Sequence, residues 1–146
     1  MITRDSIIIN DKIEKVYAVA RDIEKQHEYI HGYSPAKIIE KKEDGKIVIE
    51  RVAELHGKVM KWKSIAEFEE NKAIRFEQIE GKLKGMKIEW LFQSINEGTR
   101  VEIIHDFSLK IPALGWFAER YIARPKIDGL TRNVLVGMKN KIEGGK

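Results

Sequence analysis

Three side chains in this sequence have the chemistry to hold or act on a polar group: Tyr33, Arg51 and His105. His105 follows Val101 and Ile103 at a period of two, which sets it on the apolar side of a strand. Imidazole titrates near neutrality, so His105 is the acid–base candidate, although a lone histidine on an apolar face also suits a hydrogen-bonded core position. Arg51 is in phase with Ile47 and Ile49. Pointing inward, it would bind a carbonyl, carboxylate or quinone oxygen. A bulge could instead turn it outward, or it could pair with Glu50 or Glu54. Tyr33 offers a hydroxyl donor, or a ring packed in the core with its hydroxyl at a rim. In an enzyme, Tyr33 would be the proton donor, His105 the base and Arg51 the oxyanion partner. Gln78 and Ser64 are neutral hydrogen-bonding groups on the same side as His105 and suit a neutral carbonyl or hydroxyl. His27 and His31 have the four-residue spacing of a helical metal pair, but no glutamate completes a zincin motif and no third ligand stands out, so no metal is expected. The Gly81–Gly85 loop has neither phosphate-binding nor dinucleotide spacing and reads as a hairpin turn, so no cofactor is expected either.

These residues need strands to position them, and the chain from Ala36 onward alternates as strands do. Expected strands cover residues 36–42, 46–55, 58–69, 73–80, 86–95 and 99–109, separated by short turns at Asp44-Gly45, His56-Gly57, Glu70-Asn71, Gly81–Gly85 and Asn96–Gly98. Short connections make sequential strands antiparallel neighbours. Met60, Trp62, Ser64, Ala66 and Phe68 share one face, with Ile74, Phe76 and Gln78, with Ile88, Trp90 and Phe92, and with Val101, Ile103 and His105. Their neighbours are mostly charged, so the sheet is covered on one side only. Met60, Met86, Trp62, Trp90 and Phe76 form a pliable aromatic wall. Such a set serves equally as plain core.

Helical patterns flank the sheet. Ser6–Ile9 is a β-branched strand ending at Asn10-Asp11, where either residue can cap a helix carrying Ile13, Val16, Tyr17 and Ala20 on one side. A second short helix runs from Asp22 to about Tyr29 and closes at Gly32. At the other end, Leu114, Phe117, Tyr121, Ile127, Leu130, Val134, Met138 and Ile142 make one apolar stripe of a long helix over Ile111–Glu143. Pro125 falls inside the pattern and either kinks the helix or restarts it near its first position. Leu114–Phe117 forms an aromatic patch at its start, suited to a gate, a membrane-touching lip or a packing anchor.

Composition narrows the class. The 146 residues suffice for one domain, 1–146, with a real core. Apolar content of 42% and charged content of 34% describe an ordinary globular protein rich in charge. No apolar run is long enough to span a membrane, and no signal peptide is read, so a cytoplasmic location is expected. The absence of cysteine excludes disulfides and thiolate chemistry. The Lys/Glu/Ile-heavy usage fits a thermophile. Between Lys110 and Lys146 there are 8 Lys/Arg against 3 Asp/Glu, a local +5, while the rest of the chain carries −1. That basic helix could meet an acidic partner, an anionic membrane surface or RNA, or simply be a solvated face.

The order of elements, with several local motifs, resembles the START-like (SRPBCC) superfamily, in its polyketide aromatase/cyclase and coenzyme-Q-binding branch. The motifs are Ser6–Asn10 before the first helix, Val19–Ile23, Tyr33, Val59-x-x-Trp62, Glu89-Trp90-x-Phe92, Gly98-Thr99, Asp106-Phe107 and Thr131–Asn133. The resemblance spans essentially the whole chain. It implies an α+β helix-grip (START/Bet v 1-like) fold, in which a curved antiparallel sheet of six to seven strands wraps a long C-terminal helix and two short helices follow the first strand. It implies binding or transport of a lipid, isoprenoid quinone or polyketide-like aromatic in a cavity between sheet and helix. The expected lining is Tyr33, Arg51, Met60, Trp62, Ser64, Phe76 and Gln78, with Ile88, Trp90, Ile103, His105, Phe117, Tyr121 and Val134. A polyketide cyclase or dehydratase acting on a carrier-tethered keto substrate is the alternative. The family's cavity arginines align with Ala66 and Gln78, however, and its Trp-Pro pair with Gln26-His27. Those departures remove the guanidinium groups that would stabilise an enolate, and favour carriage over catalysis.

Overall fold

A computed structural model describes residues 2–55, 57–106 and 124–144. Seven antiparallel strands form one open sheet: β1 (Ile2–Ile9), β2 (Lys37–Lys41), β3 (Ile47–Leu55), β4 (Lys58–Glu69), β5 (Ala73–Glu80), β6 (Lys87–Ile95) and β7 (Gly98–Asp106). The spatial order is β1-β7-β6-β5-β4-β3-β2, so a meander is closed off by the first strand pairing with the last. Between β1 and β2 lie helix α1 (Ile13–Arg21) and a six-residue 3-10 helix (Ile23–Glu28); helix α2 (Arg124–Gly144) ends the chain. The expected strands all form, two with the expected bounds and three within a residue of them, while the last begins at Gly98 and its expected end at 109 lies outside the described residues. β1 is longer than the Ser6–Ile9 run suggested, because Ile2 to Asp5 pair with Asp106 to Ile103 of β7 although their own pattern is mixed. The helical pattern over residues 111–123 lies outside the described residues. Pro125 lies in the first described turn of α2, and the kink or restart expected there turns on residues 111–123, outside the described residues.

Register places the side chains. The pairs Ile47↔Ala66, Ala66↔Phe76, Phe76↔Ile88 and Ile88↔His105 form one continuous row across the sheet on the face that turns toward the helices. On that face Ile9, Ile49, Ile74, Val101 and Ile103 meet Val16, Tyr17 and Ala20 of α1 and Val134, Leu135, Met138 and Ile142 of α2. Tyr17 sets its ring edge-on to Phe92 at 5.1 Å and donates its hydroxyl to the Ala73 carbonyl at 3.1 Å. The cap of α1 differs from expectation. The first turn starts at Lys12 with no side-chain cap, since Asp11 Oδ1 accepts from the Lys12 amide and the Asn10 amide donates to Glu143 of α2.

Two devices dock α2. At Gly137 a Cβ would collide with the carbonyl oxygen of Tyr29 and sit 3.0 Å from its carbonyl carbon, so only glycine lets helix and chain come so close. Asn133 Nδ2 donates to the His31 carbonyl at 2.7 Å one turn earlier. Along the other flank α2 covers the free edge of β1. Arg132 donates to the Ser6 carbonyl at 3.4 Å and Lys139 to the Ile8 carbonyl at 2.6 Å. Both are also ion-paired, Arg132 with Asp5 and Lys139 with Glu143, while Lys141 faces Glu28. The described cations of the helix are thus engaged within the chain, and nothing here supports an acidic or RNA partner.

Gly137→Ala should therefore destabilise the fold by about 2–3 kcal/mol through overpacking. Gly129→Ala, at an open position of the same helix, should stabilise it by up to about 1 kcal/mol through propensity alone. Chemical denaturation of both variants checks this, and equal effects would refute the close approach. Removing Arg132 and Lys139 together (both to Ala) uncovers the backbone of an edge strand. Concentration-dependent self-association in sedimentation velocity is expected, and a strictly unchanged sedimentation coefficient would count against the role of these cations in shielding the edge.

Candidate functional site

Arg51 resolves inward. On β3 the residues Ile47, Ile49, Arg51 and Ala53 stand opposite Ala66, Ser64, Trp62 and Met60 of β4, and no bulge interrupts that pairing. Its side chain is only 5% exposed. Nη1 donates to Gln26 Oε1 at 2.6 Å, and Gln26 Nε2 in turn donates to the Ala20 carbonyl at 2.9 Å, which orients the amide with its oxygen toward the guanidinium. The guanidinium carbon lies 5.7 Å from the ring centroid of Tyr33 and 5.4 Å from that of Phe76, cation–π distances in both cases. Glu50 is occupied elsewhere, facing Lys61 on the outer surface.

The chain before β2 brings the aromatic partners. After the 3-10 helix, Gly32 adopts φ +86°, and the backbone then runs beside the end of β3. Tyr33 bridges to Ala53, the Ser34 amide donates to the Val52 carbonyl, and the Glu54 amide donates to the Gly32 carbonyl. This fixes the Tyr33 ring edge-on to Trp62 at 6.0 Å and over Arg51. Burial lowers the Arg51 pKa, partly offset by Tyr33 and Tyr29. A guanidinium starts so high that it stays charged. Burial likewise raises both tyrosine hydroxyls, with Arg51 pulling the other way. The Tyr29 hydroxyl is buried with no hydrogen-bond partner among the described residues.

The remaining polar candidates are buried but dispersed. Ser64 and Gln78 pair across β4 and β5. The Gln78 amide leans over the turn, where a Cβ on Gly81 would strike its Nε2. His105 is 4% exposed and its Nδ1 lies 3.3 Å from Thr131 Oγ1 of α2. Burial pushes its pKa down to about 4, so the ring is neutral at pH 7. Among the described residues no hydrogen bond or ring contact joins His105 to Arg51 or Tyr33; His105 is on β7 opposite Ile88, and Arg51 is on β3 opposite Trp62. Of the expected lining, Phe76, Trp90, Ile103 and Val134 are buried, while Met60, Trp62 and Ile88 are partly exposed. Phe117 and Tyr121 lie outside the described residues. His27 sits in the 3-10 helix with Nδ1 3.0 Å from the Glu24 carbonyl, and His31 comes after its end, so the pair has no common α-helical face. Among the described residues no group of three His, Asp or Glu could hold a metal.

Gln26, Tyr29 and Thr131 were not singled out as site residues by sequence reasoning. Gln26 stands where the resemblance expects an aromatic, a substitution that could have flagged it; Thr131 and Tyr29 carry no such mark. Surface depressions exist elsewhere: one of about 450 Å³ on the outer face is lined mainly by charged side chains such as Lys42, Glu67, Arg75 and Lys87. Arg51, Gln26 and Tyr33 do not line it, though Phe76 and Ile88 do.

A curved antiparallel sheet packed against a C-terminal helix, with two short helices after the first strand, defines the START-like, helix-grip fold. The chain belongs to the family described as polyketide cyclase / dehydrase and lipid transport, whose model matches residues 9–130. Solved structures agree on the fold. A protein of Thermus thermophilus superposes with a TM-score of 0.84 at 22% identity, over 100% of this chain and 99% of that one. An aromatase/cyclase from a Streptomyces species gives 0.76 at 16% identity over 97% and 95%. A START superfamily protein of Mycobacterium smegmatis gives 0.79 at 13% over 99% of both chains.

His105 yields a prediction about pH. Its folded pKa, about 4, lies below the ordinary value of 6.5, so neutral imidazole favours the fold. That stability is complete above pH 6.5 and is lost as pH falls toward 4. From pH 7 to 4.5 the loss should be about 2–3 kcal/mol from this residue. Urea titrations at both values should show His105→Gln losing correspondingly less than wild type; equal losses would place the acid sensitivity elsewhere.

Proposed function

We propose that the protein binds a hydrophobic small molecule between the concave face of its sheet and α2. The observation that carries this reading is the Tyr29 hydroxyl. It is buried and unpartnered beside an aromatic wall, and a buried hydroxyl left without an acceptor or donor costs about 1–3 kcal/mol that a ligand atom would recover. Around it, Tyr33, Trp62, Phe76 and Ile88 offer apolar and aromatic surface, with Arg51 as the oriented polar group. Family membership is in accord, since lipid transport and polyketide chemistry both need an apolar ligand. Affinity would come mostly from apolar burial at about 25 cal/mol per Å², less the ordering costs.

Carriage rather than cyclisation is favoured by the dispersal of the polar groups. An acid–base mechanism would need Tyr33, Arg51 and His105 around one reacting atom. Only the first two meet, and His105 is neutral and engaged with Thr131. The cysteine-free composition suits a reducing cytosol.

Native mass spectrometry of the purified protein, followed by organic extraction, should reveal a stoichiometric apolar molecule or, for empty protein, saturable one-to-one uptake of a hydrophobic fluorescent probe. Refusal of every such probe by folded protein would sink the reading.

A further inference from the structure

We infer that the molecule held beside Arg51 is a monoanion, an apolar body ending in one carboxylate. This rests on the reading of the concave face as a ligand site. The starting point is a contrast among the arginines. Arg21, Arg75, Arg100 and Arg132 lie at the surface, where water would serve them, yet each faces a carboxylate: Glu70, Glu69 with Glu89, Glu102, and Asp5; Arg4 faces none among the described residues, but it is exposed and water serves it. Arg51 is the buried one, and among the described residues no carboxylate faces it. A buried cation without a counter-charge is costly, and arginine cannot escape by losing its proton.

What surrounds Arg51 is incomplete in a specific way. A guanidinium carries five N–H donors in a plane. One is used, from Nη1 to Gln26; the others have no acceptor among the described residues. The rings of Tyr33 and Phe76 offer negative π faces, which attract the charge but leave the in-plane donors unmet. Tyr29 and Tyr33, the groups that Arg51 feels electrostatically, are neutral at pH 7. A carboxylate has the planar pair of acceptor oxygens that fits two parallel N–H groups, and it brings the missing charge. The unpartnered Tyr29 hydroxyl supplies a further donor. A phosphate dianion would leave a buried excess of negative charge against one guanidinium, with His105 neutral. A neutral carbonyl would leave the cation uncompensated. The apolar body is set by Trp62, Phe76 and Ile88 alongside.

The test uses matched pairs that differ only in the head group: decanoate against decanol, and 2-naphthoate against 2-naphthalenemethanol. Each is titrated calorimetrically at pH 7.5 into wild-type protein and Arg51→Met. The acid of at least one pair should bind wild type about 10- to 100-fold tighter than its alcohol, the range of a charge-assisted hydrogen-bond pair. In Arg51→Met the ratio should fall to about one, since the charge that tells acid from alcohol is gone. Equal binding of acid and alcohol by wild type would overturn the carboxylate while leaving the apolar site intact. Failure of all four to bind would overturn both. An acid preference that survives in Arg51→Met would remove Arg51 from the inference. The wild-type ratio decides the charge even if the variant fails to fold.

Discussion

A sheet with one wet face and one dry face has to be covered on the dry side, and in this chain α2 does most of the covering that the described residues show. Its apolar stripe alone would let it slide or rotate on the sheet. What holds it is contact at both flanks: the bare Cα of Gly137 against the Tyr29 carbonyl, and long cationic side chains reaching the free carbonyls of β1. Each ends on a backbone carbonyl, whose place is set by the course of the chain. Of the described cations, Arg132 and Lys139 also keep an edge strand from pairing with another chain.

On the inward face the polar groups are arranged unequally. Arg51 is held in one orientation by Gln26, which is itself held by the Ala20 carbonyl, so a contact made in the 3-10 helix aims a charge from β3. The aromatic rings on either side fix its plane. Such preorganisation lowers the cost of binding a planar partner, because the guanidinium needs no reordering. His105 has the opposite character. It bonds to Thr131 and burial keeps it neutral at pH 7, which ties β7 to α2. One inward polar residue is poised and unfulfilled, the other satisfied and structural.

Much of this was legible beforehand. Period-two alternation marked most inward residues from Ile47 to His105, because strand geometry allows only two faces and charge excluded one of them. Turn residues such as Asp44-Gly45, where Gly45 has φ +87°, marked the hairpins. Less legible were contacts between residues distant in sequence. Alternation allowed Arg51 to point inward but could not exclude a bulge. The cap expected at Asn10 or Asp11 does not form, because α1 starts one residue later, with Lys12 at the cap position and Asp11 Oδ1 accepting from the Lys12 amide. His27 and His31 looked like a helical pair, but the short segment winds as a 3-10 helix and ends between them.

The sequence by itself determined the two faces of the sheet, the meander and the apolar stripe of the last helix. These depend on local periodicity and turn chemistry, which any stretch carries within itself. Tertiary structure alone decided that, among the described residues, no carboxylate faces Arg51 and no partner meets the Tyr29 hydroxyl, that Gln26 aims Arg51 and that Thr131 reaches His105. Each of those joins residues on separate elements, and their distances exist only once the helices have closed on the sheet.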